Sequence, residues 1–86
     1  MKILYHRRFL KRFAILPPKV KEQFKKRLQF FAVYPHHVLL NNHALHGKYQ
    51  EFRSINVTGD MHALYKMING HTVEFVYIDT HENLYG

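Results

Sequence analysis

The sequence contains no cysteine and no tryptophan, and it sets only six acidic residues against thirteen lysines and arginines. Without cysteine there can be no disulfide framework and no thiolate metal site, which fits a reducing compartment. No apolar run approaches the roughly 20 residues that span a bilayer. The opening MKILYHRRFL carries charges where a signal peptide needs an apolar stretch, so a soluble cytoplasmic protein with no membrane partner is expected. Repeats, low-complexity tracts and linkers are also missing. The 86 residues make one domain, 1–86, and a chain of this size buries about 60–65% of its unfolded surface, enough for a single modest core. The hydrophobic fraction of 47% is well above the disordered class.

The positive charge is unevenly placed. Residues 1–28 hold ten Lys or Arg and one acid, whereas residues 29–86 hold three and five. A split of this kind attracts phosphate backbones or an acidic protein. A merely solvated helical face is the ordinary reading, but the surplus is large for so few residues and a polyanionic partner is favoured. Lys25 and Lys26 are the representative candidates for RNA contact.

Residues 2–6 are short and apolar enough for a first strand. Phe9, Phe13 and Leu16 then fall at i, i+4, i+7, and Val20, Phe24, Leu28 and Phe31 at i, i+4, i+8, i+11, so two amphipathic helices are predicted. Pro17-Pro18 separates them, and Pro35 ends the second by biasing Tyr34 away from helical torsions. HHVLLNNHALHGK reads as an irregular connector. YQEFRSINV, HALYKMI and TVEFVYI read as strands, joined by a turn at Thr58-Gly59-Asp60 and by Asn69-Gly70, a strong hairpin signal. The predicted fold is α+β, in the order β-α-α-β-β-β, with a two-helix hairpin packed on one face of a mainly antiparallel four-stranded sheet.

The Asn69-Gly70 hairpin brings the start of one strand beside the end of the next, so Asp60, Met61 and His62 should face residues 77–81. Asp60 and His81 are therefore predicted neighbours. A carboxylate beside an imidazole suits general acid–base work. Cleaving RNA needs little more: a base for the 2′-hydroxyl, an acid for the 5′-oxygen and a cation for the phosphorane. Taken singly, these residues have ordinary roles, Asp60 in the turn and His81 at the strand end. Arg53 shares a side with Ile55 and Val57, either snorkelling at the sheet margin or held in a cleft. Lys48 is either a surface cation or an RNA contact, and Met61 is either core filler or a surface beneath a base. His43 and His46 are three apart and His36-His37 adjacent, but two Asp and four Glu give few supporting carboxylates. No metal or cofactor is expected.

At H-x-L-x-G (His43 to Gly47), at the strand–turn–Asp around Asp60 and at T-H-x-x-L-Y (Thr80 to Tyr85), the sequence resembles the YafQ-like mRNA interferase branch of the RelE/ParE toxin superfamily. The resemblance spans essentially the whole chain. It implies the toxin of a type II toxin–antitoxin module, a metal-independent, ribosome-dependent endoribonuclease with mRNA and ribosome as targets and a cognate antitoxin as partner. It places His43, Asp60 and His81 at catalytic positions, and Asn56 where some members carry another catalytic histidine. Arg53 would supply fixed charge for the phosphorane, and Lys48, Met61 and His62 would touch RNA. The chain departs from the pattern where Met61-His62 stands in place of an aromatic residue and Arg, and where Asp79 replaces a glycine. The competing reading is a ParE-like or degenerate member that binds protein or RNA without cutting. The histidines discriminate, because a pure binder has no need of His43 and His81.

Overall fold

The computed structural model describes all 86 residues. Its elements are β1 (Lys2–Tyr5), α1 (Arg7–Ala14), α2 (Pro18–Val33), β2 (His43–Ala44), β3 (Arg53–Asn56), β4 (Met61–Asn69), β5 (Thr72–Thr80) and α3 (His81–Tyr85), with 3₁₀ turns at Val38–Leu40 and Gly47–Tyr49. The sheet has five strands in the order β1-β5-β4-β3-β2. The predicted α+β order is observed, and every pairing except the parallel β1–β5 is antiparallel. The expected four strands become five because His43-Ala44, inside the supposedly irregular connector, pairs with Arg53 and Ser54. Two residues are too few to show a period-2 pattern, so the strand had no signal of its own.

Local chemistry explains the helix ends. The His6 ring accepts from the Arg8 N–H and caps α1. Pro18 opens α2 at a position whose N–H needs no partner, and Pro35 leaves Tyr34 extended at φ −146°. Gly47 begins its 3₁₀ turn at φ +67°, a left-handed conformation that is costly for other residues.

The sheet is covered on both faces. Phe9, Leu16, Phe24 and Phe31 of the α1–α2 region pack on Ile55, Val57, Met61, Ala63, Tyr65, Val73, Phe75 and Ile78. Phe75 is the centre of this layer. Its ring lies 5.4–6.1 Å from those of Tyr5, Phe9, Phe24, Phe31 and Tyr65, so it combines area burial with edge-to-face contacts. On the second face Phe52, Leu64, Val76 and Leu84 cluster with Leu45, Tyr49 and Tyr77. Leu84 belongs to α3, a third helix absent from the expected element order. Thr80 Oγ1 caps α3 by accepting from the Asn83 N–H. No helix is long and apolar enough to cross a membrane.

β1 accompanies β5 only as far as Tyr5–Phe75. Beyond that point α1 runs beside β5, and two of its arginines reach round to second-face residues. Arg8 Nη1 donates to Tyr77 Oη at 2.7 Å, and Arg12 Nη2 donates to Asp79 Oδ1 at 2.9 Å. Asp79 also accepts from Asn83 Nδ2 and the Thr80 N–H. Burial alone would raise the Asp79 pKa, but the hydrogen bonds from Asn83 and Thr80 and the Arg12 charge outweigh it and hold the carboxyl below its ordinary 3.8. Asp79, which stands where the resemblance has a glycine, is thus a clasp joining α1, β5 and α3.

A carboxylate with a depressed folded-state pKa contributes stability that is present above its unfolded value and is lost as pH falls through the folded one. With a partly exposed ion pair and two further hydrogen bonds, Asp79→Ala should cost about 1–2 kcal/mol at neutral pH. Urea titrations of both proteins from neutral pH downward should show that gap closing below about pH 4. A gap that stays constant into acid would mean the loss is packing rather than charge.

Candidate functional site

Strand alternation sets the site on the second face. In the β3–β4 register Ser54 opposes Leu64 and Asn56 opposes His62, and His43 of β2 opposes Ser54. These residues point away from α2. The chain then leaves β5 at Thr80 and turns at once into α3, which folds Leu84 into the second-face cluster and carries His81 and Tyr85 with it. The result is an open cleft of about 390 Å³ lined by Asn41, His43, Leu45, Ser54, His62, His81 and Tyr85.

Three imidazoles and a phenol meet here. The His62 and His81 rings are 5.6 Å apart, His81 and Tyr85 4.8 Å, and His62 and Tyr85 6.4 Å. His43 Nδ1 lies 2.7 Å from the Asn41 carbonyl. A carbonyl can only accept, so Nδ1 carries a proton. His62 is half-buried and its Nδ1 is fully enclosed without a partner. Burial first, and then the charges of His81 and His43, lower the His62 pKa, while Asp60 opposes them weakly. His62 is thus neutral near neutral pH. Burial raises the Tyr85 pKa and keeps its hydroxyl protonated as a donor.

The predicted residues divide cleanly. His43, His62 and His81 come together, and Asn56 faces His62 across the β3–β4 pair. Asp60 and His81 are neighbours through the main chain, the His81 N–H donating to the Asp60 carbonyl at 2.9 Å. The Asp60 carboxylate is exposed and bonds to neither imidazole, so its influence on the cleft is electrostatic. Arg53 is not in the cleft. It faces the opposite side with Ile55, where its Nε donates to Asn42 Oδ1 at 2.8 Å. Met61 is buried in the helix-side core, because a residue adjacent to a cleft-facing one points the other way. No three of the His, Asp and Glu side chains have metal-binding geometry.

Lys25 and Lys26 are exposed on α2, on the layer covering the other face. The cations nearest the cleft are different ones. Lys48 Nζ lies 5.1 Å from the Tyr49 ring centre. Tyr49 is 5.8 Å from Tyr85 and 5.3 Å from Tyr77, and Arg8 lies over Tyr77 at 5.1 Å. An aromatic ridge therefore runs from His81 to α1, where His6, Arg7, Arg8, Lys11 and Arg12 surround a depression of about 420 Å³. The charge count could locate the surplus in residues 1–28, but it could not show which part of it reaches this face. Tyr85 was missed as well, although Thr80 as a cap with His81, Leu84 and Tyr85 at helical spacing carried the signal.

No family model matches the sequence, and no curated protein matches it. Solved structures do match. YafQ from E. coli strain BL21(DE3) has a TM-score of 0.82 at 20% identity, covering 99% of this chain and 98% of that one. A YoeB/ParE toxin from Agrobacterium tumefaciens has a TM-score of 0.78 at 15% identity, over 94% and 99%. The E. coli DinJ–YafQ toxin–antitoxin complex matches at 0.79 and 21%, over 99% and 97%. The fold is the one these YafQ and YoeB/ParE toxin structures share, as the resemblance implied.

Arg8 and Arg12 are engaged within the fold, which leaves Arg7 and Lys11 as the free cations of the α1 depression. Each phosphate contact on a single strand contributes about 0.7 to the slope of log affinity against log salt. Removing both charges should flatten that slope by about 1.4 for a single-stranded oligonucleotide. The pair Lys25→Ala and Lys26→Ala should change it less, and Lys66→Ala least. Equal slopes for all three proteins in fluorescence titrations would show the α1 field to be incidental.

Proposed function

We propose, from the fold shared with YafQ and YoeB/ParE toxins, that this chain is the toxin of a type II toxin–antitoxin module and cuts mRNA on the ribosome by metal-independent acid–base chemistry. The observation that carries the reading is the cleft itself, in which three imidazoles from β2, β4 and α3 converge beside a ridge of tyrosines. Imidazoles give and take protons at cellular pH, and tyrosine faces are where unpaired bases stack. The 2′-hydroxyl loses its proton to a base and attacks the adjacent phosphorus, and His81 protonates the departing 5′-oxygen. His43 supplies a second imidazole at the rim, and the Asp60 charge partly offsets the lowering of the His62 pKa. Work at the ribosome places the protein in the cytoplasm.

The partner is a cognate antitoxin. The solved DinJ–YafQ structure is a toxin–antitoxin complex, and YoeB is solved in complex with YefM. On this chain an apolar groove between α1 and α2, lined by Tyr5, Phe9, Leu10, Phe13, Phe24 and Leu28 with Lys25 at its edge, suits an amphipathic acidic segment that folds as it binds.

One observation favours the competing reading, a degenerate member that binds without cutting: no lysine or arginine lines the cleft. Expression in a sensitive host, with primer-extension mapping of transcripts, separates the two. The wild-type protein should arrest growth and cut mRNA in the presence of EDTA. Loss of general acid–base catalysis costs about 10²–10⁴-fold, so His81→Gln should abolish both effects while leaving the fold and ribosome binding intact. Growth arrest without cut transcripts would support the binding-only reading, and wild-type cleavage by His81→Gln would remove His81 from the mechanism.

A further inference from the structure

Two enclosed polar atoms of complementary character sit on residues paired across β3 and β4. They are His62 Nδ1 and Asn56 Oδ1, both buried without hydrogen-bond partners. Leaving such atoms unpaired is costly. A neutral imidazole protonated at Nδ1 needs an acceptor, and the Asn56 amide oxygen is one. The other ring nitrogen of His62 is not enclosed, and the residue lines the cleft.

We infer that His62 is the general base of RNA cleavage, its Nε2 turned to the 2′-hydroxyl and its Nδ1–H directed to Asn56, with His81 as the acid across the cleft. The inference rests on the endonuclease reading above and assigns the role left open there. The step balances within the substrate and these two side chains. The 2′-OH proton passes to His62 Nε2 as the O2′–P bond forms. The P–O5′ bond breaks, and O5′ takes a proton from the His81 imidazolium. The products are a 2′,3′-cyclic phosphate and a 5′-hydroxyl. Ring centres 5.6 Å apart allow one phosphodiester to reach both imidazoles.

The environment of His62 suits a base. It is faced by His81 and Tyr85 from α3, by His43 from β2, by Asp60 from the turn and by Asp79, its cross-strand partner on β5, whose charge is taken up by Arg12. Burial and the two neighbouring imidazoles keep the ring neutral at pH 7, the state that can accept a proton. Asn56 is assigned a positioning role: a bond from the His62 Nδ1–H to its Oδ1, which a small side-chain rotation would close, fixes the tautomer without touching the substrate. His43 is the rival, because its Nδ1–H is also committed to a carbonyl, but it is exposed at the rim.

Single-turnover cleavage of ribosome-bound mRNA, followed between about pH 5.5 and 8.5, tests the assignment. The wild-type profile should show an acid limb with its midpoint below 6.5, where the base becomes protonated. His62→Gln should lose about 10²–10⁴-fold in rate and lose that limb, with unchanged thermal unfolding and ribosome binding. Because positions 56 and 62 face one another, the double variant Asn56→His/His62→Asn returns an imidazole to the same spot and should recover at least about tenfold of the loss. Added imidazole should partly rescue His62→Ala. The assignment is overturned if His62→Gln cuts at the wild-type rate with its acid limb intact, or if His43→Gln alone removes the limb. A wild-type protein that cuts nothing overturns the endonuclease reading itself, a result distinct from an active wild type indifferent to His62.

Discussion

The register between β4 and β5 is the constraint on which the cleft depends. It pairs Met61 with Thr80 and His62 with Asp79, and those pairings fix where the chain leaves the sheet relative to where His62 stands. Side chains alternate, so a slip of one residue would send His62 into the phenylalanine layer and Met61 into solvent. Burial on both faces forbids the slip. Phe75 and Ile78 are committed to the helix side, and Val76 and Leu64 to the other. The irregularity between Leu64 and Tyr65 lets Val76 and Tyr77 share the second face, which puts Tyr77 within reach of both Arg8 and Tyr49.

From that register two surfaces follow that would otherwise be unrelated. α1 lies beside the half of β5 that β1 leaves unpaired, and its arginines bend round to the second face. The tyrosines at 49, 77 and 85 then bridge the basic helix to the histidines. The basic helix and the imidazole cleft thus lie on one continuous surface, while Lys25 and Lys26 lie on the other layer, Lys25 at the edge of the apolar groove. On the function proposed above, substrate and partner address different sides of the same small domain.

Much of this was legible in the sequence. The phenylalanine and leucine spacings marked both helices, and Asn69-Gly70 marked the central hairpin. Arithmetic along that hairpin correctly made Asp60 and His81 neighbours, and alternation correctly put Arg53 with Ile55. Alternation could not show that the site would lie on the opposite face, which takes Arg53 and Met61 out of it. Nor could it show that the Asp60–His81 proximity would be carried by main-chain atoms. β2 and α3 were missed for one reason: two and five residues are too short for a periodic pattern, and tertiary pairing and the Leu84 anchor hold them. His62 stood in plain view, but its enclosure between Asn56 and Asp79 belongs to three strands at once.

α3 has a consequence beyond its role as a support. It brings two of the cleft's aromatic side chains, yet it is a single turn and a half, tied by one buried leucine, one threonine cap, the Asp79 clasp, the His81 N–H bond to the Asp60 carbonyl and the contact of Tyr85 with Tyr49. The sheet beneath it has ladders on both sides and two hydrophobic layers. Regions with few buried contacts open at lower free energy than the global transition, so α3 can detach while the sheet stays folded. In that opened form the basic helix and the tyrosines at 49 and 77 persist, but His81 is gone and His62 meets water. Opening of α3 therefore leaves the charge of this surface in place while it disperses the His62–His81 pair. On the cleavage proposed above, the rate depends on the share of time α3 spends docked as well as on the chemistry of the imidazoles.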